Sequence, residues 1–122
     1  MVGTVRCKRA YEPVGERDGL RVLVDRLWPR GVTKQAARID QWLKDVAPTT
    51  GLRKWFGHRP DRWQEFRRRY LAELAHNPAL AALESLAAQQ DLTLVYGAKD
   101  EVHNHARIIA ERVRGDIGPG AS

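Results

Sequence analysis

Cysteine is nearly absent from this chain of 122 residues: Cys7 stands alone. A single thiol excludes an intrachain disulfide and any multi-cysteine zinc or iron–sulfur site built within one chain. Long apolar runs are absent too, and none approaches the ~20 residues that span a bilayer. The opening Met1-Val2-Gly3-Thr4-Val5-Arg6 lacks the apolar core of a secretion signal, so the expected place is the cytoplasm, with no membrane partner. There are no internal repeats and no sign of a second domain. The balance of 43% hydrophobic and 30% charged residues is that of a globular protein rather than a disordered one.

Arginine is what the chain has in abundance, with 16 of its 21 basic residues. Its planar fork suits bidentate contact with phosphate or carboxylate. The excess is uneven: net +4 over residues 1–50, +4 over 51–77 and −2 over 78–122. Such a balance admits an anionic small molecule, a nucleic acid, or solubility alone as its reason.

Thr4 to Arg9 alternates and reads as a first strand, and Glu12 to Gly19 as a turn-rich loop. Arg21 to Leu27 is the strongest strand, stopped by Trp28-Pro29-Arg30-Gly31; its unbroken Val22-Leu23-Val24 suits a strand covered on both faces. Ile39 to Val46 fits a short helix or a strand. Leu52 to Pro60 reads as a loop. Pro60 opens a helix running to about Ala75, with Trp63, Phe66, Tyr70 and Leu74 on one stripe. Asn77-Pro78 caps another, with Leu80, Leu83 and Leu86 or Ala87 inward. Leu92 to Tyr96 is a buried strand. Asp100 is the expected cap of a last helix with Val102, Ala106, Ile109 and Val113 inward. The expected organisation is one α/β domain over residues 1–114, a Rossmann-like sandwich with a small, mostly parallel sheet flanked by helices, and a frayed tail over 115–122.

Open α/β sheets place ligands at the carboxyl ends of their strands. Two segments of unusual composition lie there. In Asp25-Arg26-Leu27-Trp28-Pro29-Arg30-Gly31, Arg26 and Arg30 form an anion clamp with Asp25 orienting one of them; the bland alternative is an Asp–Arg pair bracing a turn beneath Trp28. In Tyr96-Gly97-Ala98-Lys99-Asp100-Glu101-Val102-His103-Asn104-His105, a strand, a glycine and a helix start make a generic anion site to which Lys99 adds charge. Asp100 is either helix cap or catalytic carboxylate. His103 and His105, about 200° apart if both are helical, cannot hold one metal from one face, and no metal is assigned. The two segments are expected to line one cleft.

Leu52-Arg53-Lys54-Trp55-Phe56-Gly57-His58-Arg59 interleaves aromatic and basic residues, a pattern that stacks bases in some proteins and covers a sheet in others. On the following helix Arg67 falls about 40° from Trp63, inside the apolar arc. An inward arginine needs a partner, Asp25 or a bound anion, unless it snorkels to water.

The blocks Arg26–Gly31, Trp42–Pro48, Lys54–His58 with Trp63, Phe66 and Tyr70, and Lys99–Ala106 resemble, in that order, the YeaO-like branch of a large bacterial family known as domain of unknown function 488. The resemblance covers nearly the whole chain except the tail. It implies a small Rossmann-like α/β fold and a cytoplasmic bacterial protein, tilts Ile39–Val46 toward a strand, and carries no established activity. Members commonly read Phe-Gly-His-Asp-Pro where this chain has Arg59 before Pro60, so the cap of the long helix must come from elsewhere. Gly97 stands where alanine is frequent. Other branches carry a cysteine near the last helix, which this chain lacks there.

Together these residues point to a polar, basic cleft binding a phosphorylated or carboxylated small molecule. Asp25, Arg26, Trp28, Arg30, Lys54, Arg67, Tyr96, Lys99 and His105 are the candidate ligand-binding residues. If chemistry occurs, His103 or His58 is the acid or base, with Asp100 beside it; Arg26, Arg30 and Lys99 then stabilise negative charge. A nucleic-acid module using residues 53–69 and a homodimer formed through exposed aromatics are the rival readings. No cofactor is assigned.

Overall fold

The last strand among the described residues lies inside the sheet, between two strands that precede it in sequence. In the computed structural model, which describes residues 3–115, β1 (Val5–Arg9), β2 (Leu20–Leu23), β3 (Gln41–Trp42) and β4 (Leu92–Tyr96) form a parallel sheet in the order β1-β4-β2-β3. All five residues of β4 are buried, as a strand covered on both faces requires. Its side chains alternate. Leu92, Leu94 and Tyr96 enter a large core with Val22 and Val24 of the β2 segment, while Val95 joins Leu23, Ala37 and Ile39 in a smaller one on the other face.

The large core is closed by α2 (Thr50–Phe56), α3 (Trp63–Leu74), α4 (Pro78–Ala87) and α5 (His105–Arg114), the small one by α1 (Lys34–Ala37) with Trp28 packed against it. Phe66, Tyr70 and Leu74 form the buried stripe of α3, and Leu80, Leu83 and Ala87 that of α4, at helical spacing. Tyr70 is fully buried and its hydroxyl donates to the Val46 carbonyl at 2.6 Å, which ties the 3-10 turn Lys44–Val46 to the core. Asn77 caps α4 by accepting from the Ala79 N–H. Arg62, at the N-cap of α3, makes no side-chain capping bond; a 3-10 turn at Pro60–Arg62 leads into the helix instead. This is the α/β, Rossmann-like architecture read from the sequence. Among the described residues no helix is long and apolar enough to cross a membrane.

Several boundaries differ from expectation. β2 ends at Leu23 rather than Leu27, because after Val24 the chain turns so that the Asp25 side chain, not its backbone, reaches β4. Ile39–Val46 is a two-residue strand followed by the 3-10 turn. Leu52–Phe56, read as loop, is helical: Thr49 caps it from Oγ1 and Gly57, at φ 53°, ends it. The connection from β1 to β2 carries no helix. Asn104, not Asp100, caps α5, accepting from the Arg107 N–H at 3.1 Å. Asp100 closes its own turn by accepting from Val102 and His103 N–H, and Val102, expected inward, is 62% exposed. The tail expected over 115–122 lies, apart from Gly115, outside the described residues.

Candidate functional site

Because β2 and β4 are adjacent and parallel, their carboxyl ends leave one edge of the sheet side by side. Val24 N–H still donates to the Val95 carbonyl at 3.1 Å. One residue later the Asp25 carboxylate reaches across, and its Oδ2 accepts from the Gly97 N–H at 2.9 Å. On the far side of β4, the Ala10 N–H donates to the Tyr96 carbonyl and brings Tyr11 to the same edge. A cleft of about 560 Å³ opens there. Asp25, Arg26 and Arg30 come to it from the end of β2, and His103, Asn104 and His105 from the start of α5. Arg53 and His58 come from α2 and its exit, while Phe56, Phe66, Pro29 and Pro48 supply carbon walls. The two strand-end segments therefore do meet.

The polar groups are held in defined orientations. His105 Nε2 lies 3.0 Å from the Val24 carbonyl and 3.2 Å from Asp25 Oδ1. A carbonyl oxygen only accepts, so Nε2 carries the proton. That proton is aimed at Val24, and Asp25 Oδ1 is left buried without a hydrogen-bond partner among the described residues. His103 Nδ1 lies 3.0 Å from Asp100 Oδ2, and its ring packs edge-on against Trp63 at 5.3 Å. The N–H groups of His103 and Val102, then the His103 imidazole, hold the Asp100 carboxyl down at about 2. As an ionised acceptor it places the proton on His103 Nδ1 and leaves Nε2 as the other functional nitrogen.

Arg26 is committed on one side. Its Nε and Nη2 donate to the carbonyls of Ala47 and Pro48, strapping the segment before α2 to the end of β2. Arg30 and Arg53 are exposed, and neither side chain has a hydrogen-bonding or ion-pair partner among the described residues. His58 sits at the rim with φ 57°, a left-handed conformation that few non-glycine residues adopt.

Other candidates lie elsewhere. Lys54 and Lys99 are exposed and do not line the cleft. Tyr96 is a core residue, and Trp28 packs on the smaller core with its Nε1 donating to the Val32 carbonyl at 2.6 Å. Asp100 stands behind His103 rather than in the lining. Arg67 does not meet Asp25: its Nη2 pairs with Glu111 Oε2 on α5 at 3.0 Å, because α5 rather than β2 packs beside that face of α3. Trp55 is overlaid by the Arg62 and Arg69 guanidiniums at 5.1 and 4.4 Å from its ring centre. Base stacking on that ring would have to displace them, so it packs as a covering residue. The cleft also takes in Tyr11, Arg53 and Asn104; Arg53 belongs to the basic run 53–69 that the sequence shows, whereas nothing local marks Tyr11. Among the described residues no three histidine, cysteine, aspartate or glutamate side chains are arranged to hold a metal ion.

Residues 4–118 match the sequence model of DUF488-N3i, described as the inactive DUF488-N3 subclade. The chain is 45% identical over 111 residues to the uncharacterized protein YeaO of Escherichia coli K12, covering 90% of this chain and 96% of that one. It is 42% identical over 111 residues to the uncharacterized proteins Mb3100c of Mycobacterium bovis and Rv3073c of Mycobacterium tuberculosis H37Rv, covering 91% of this chain and 94% of each. No solved structure matches. With a match over nearly its whole length and relatives this similar, the chain belongs to the DUF488 family, in its YeaO-like N3i branch.

Proposed function

We propose that this protein binds an anionic small molecule, phosphorylated or carboxylated, in the cleft at the carboxyl ends of β2 and β4. The observation that carries the reading is the pair Arg30 and Arg53, which line the cleft with side chains that have no protein partners among the described residues. Unspent forks at a concave site fit an oxyanion. Arg26 adds a fixed positive charge, and the Asp100–His103 pair adds an oriented imidazole.

Binding rather than covalent chemistry is the role the lining supports. Among the described residues the lining contains no serine, threonine, cysteine or lysine, which leaves aspartate, histidine and tyrosine as its reactive groups, and the matching family model is described as an inactive subclade. The test is thermal unfolding in inorganic phosphate against chloride at matched ionic strength. Phosphate should raise Tm in the wild type, and the rise should vanish in Arg30→Ala/Arg53→Ala but persist in Lys54→Ala/Lys99→Ala. Equal shifts in both double variants would assign the effect to bulk salt and end the proposal.

A further inference from the structure

We infer that the ligand is an organic phosphate with a flat or apolar body, seated body inward, rather than a free inorganic anion. This deepens the anion-binding reading and rests on it. Size is the first reason: a cleft of about 560 Å³ lies within the ~300–1,000 Å³ of organic-ligand sites, and inorganic phosphate would fill little of it.

The second reason is polarity along the depth of the cleft. Its unpartnered cations, Arg30 and Arg53, are exposed. The interior is different. Pro29 and Pro48 are buried in the walls and have no N–H to offer an anion. Phe56 and Phe66, stacked at 4.3 Å, present carbon. At the strand ends stands the Asp25 carboxylate, held by Gly97, and the neighbouring Arg26 has its Nε and Nη2 spent on the Ala47 and Pro48 carbonyls. An anion pushed inward therefore meets a like charge and no free arginine fork. The phosphate therefore stays at the arginine rim, and an uncharged body covers the carbon walls.

Isothermal titration with three probes decides the matter: inorganic phosphate, glycerol 3-phosphate and phenyl phosphate. Phenyl phosphate should bind about tenfold more tightly than inorganic phosphate, with glycerol 3-phosphate close to the inorganic ion. Its ring protons should give intermolecular NOEs to Pro29, Pro48 or Phe66. Ala98→Leu, which fills space in the lining, should erase the phenyl advantage while leaving inorganic phosphate within about twofold. Equal affinity for phenyl and glycerol phosphates, or for phenyl and inorganic phosphate, overturns this inference and leaves the anion site standing. Phenyl phosphate bound without NOEs to the walls also overturns it. If none of the three binds, the anion-binding reading itself falls.

Discussion

The carboxylate of Asp25, just past β2, accepts the backbone N–H of Gly97, just past β4, at 2.9 Å. This bond joins the two strand ends after their backbone ladder has stopped, and it sets the inner end of the cleft. There is little room around it: a Cβ built on Gly97 would lie 3.1 Å from Asp25 Oδ2 and 3.4 Å from Pro29 Cβ. Removing the carboxylate leaves a partly buried N–H without its acceptor. Asp25→Ala should lower stability by about 1–3 kcal/mol, read from the urea midpoint. Arg30→Ala, on an exposed side chain of the same cleft, should stay within about 0.5 kcal/mol. Equal effects would show that the Asp25–Gly97 tie does not hold the strand ends.

Arg67 and Glu111 join α3 to α5 at 3.0 Å, with the arginine side chain about a quarter exposed. Partial exposure and salt screening limit such a pair. Arg67→Met and Glu111→Gln should each cost under about 1 kcal/mol and combine non-additively. Neither should alter phosphate-induced stabilisation, because Arg67 lies outside the cleft lining. A loss of that stabilisation in Arg67→Met would place the side chain in the ligand site after all.

Asp100 supplies a pH signature. Hydrogen bonds from the His103 and Val102 N–H groups, and then from the His103 ring, lower its carboxyl from 3.8 to about 2. The folded protein binds this proton more weakly than the unfolded chain does. The stabilisation is therefore complete above the unfolded value and is lost as pH falls from about 4 toward 2. A carboxyl-detected NMR titration should find the Asp100 midpoint near 2, with the His103 amide moving in step. A midpoint near 4 would mean that the turn is open in solution.

Cys7 should be inert in the native state. Burial pushes its thiol up to about 11 despite the opposing charges of Arg114 and Arg107, and its Sγ faces the Ala106 carbonyl at 3.5 Å. At pH 8 only about one thiol in a thousand is then thiolate. Iodoacetamide should modify Cys7 at an appreciable rate only after denaturation. Labelling of the folded protein at the rate of a free peptide thiol would contradict this burial.

Local pattern determined a good part of this protein. The runs Val22-Leu23-Val24 and Leu92–Tyr96 read as covered strands, and the stripes of α3 and α4 read as buried helix faces, because side-chain period is a property of the chain itself. Parallel strands must also send their carboxyl ends to one edge, so the meeting of the segments after β2 and β4 in one cleft follows from the chain. The bond of Asp25 to Gly97 and its approach to His105, in place of an arginine, do not. Tertiary structure alone decided the rest. Asp100 and Asn104 are both competent caps, and the choice between them turned on whether Val102 found a place in the core, which it did not. The helical wheel placed Arg67 on an inward face but could not name its partner, which depended on α5 packing there and bringing Glu111. Tyr11 reached the cleft only because β4 inserted beside β1, a pairing between residues more than eighty positions apart. Contacts of that range are chosen by the fit of whole faces, and no local spacing encodes them.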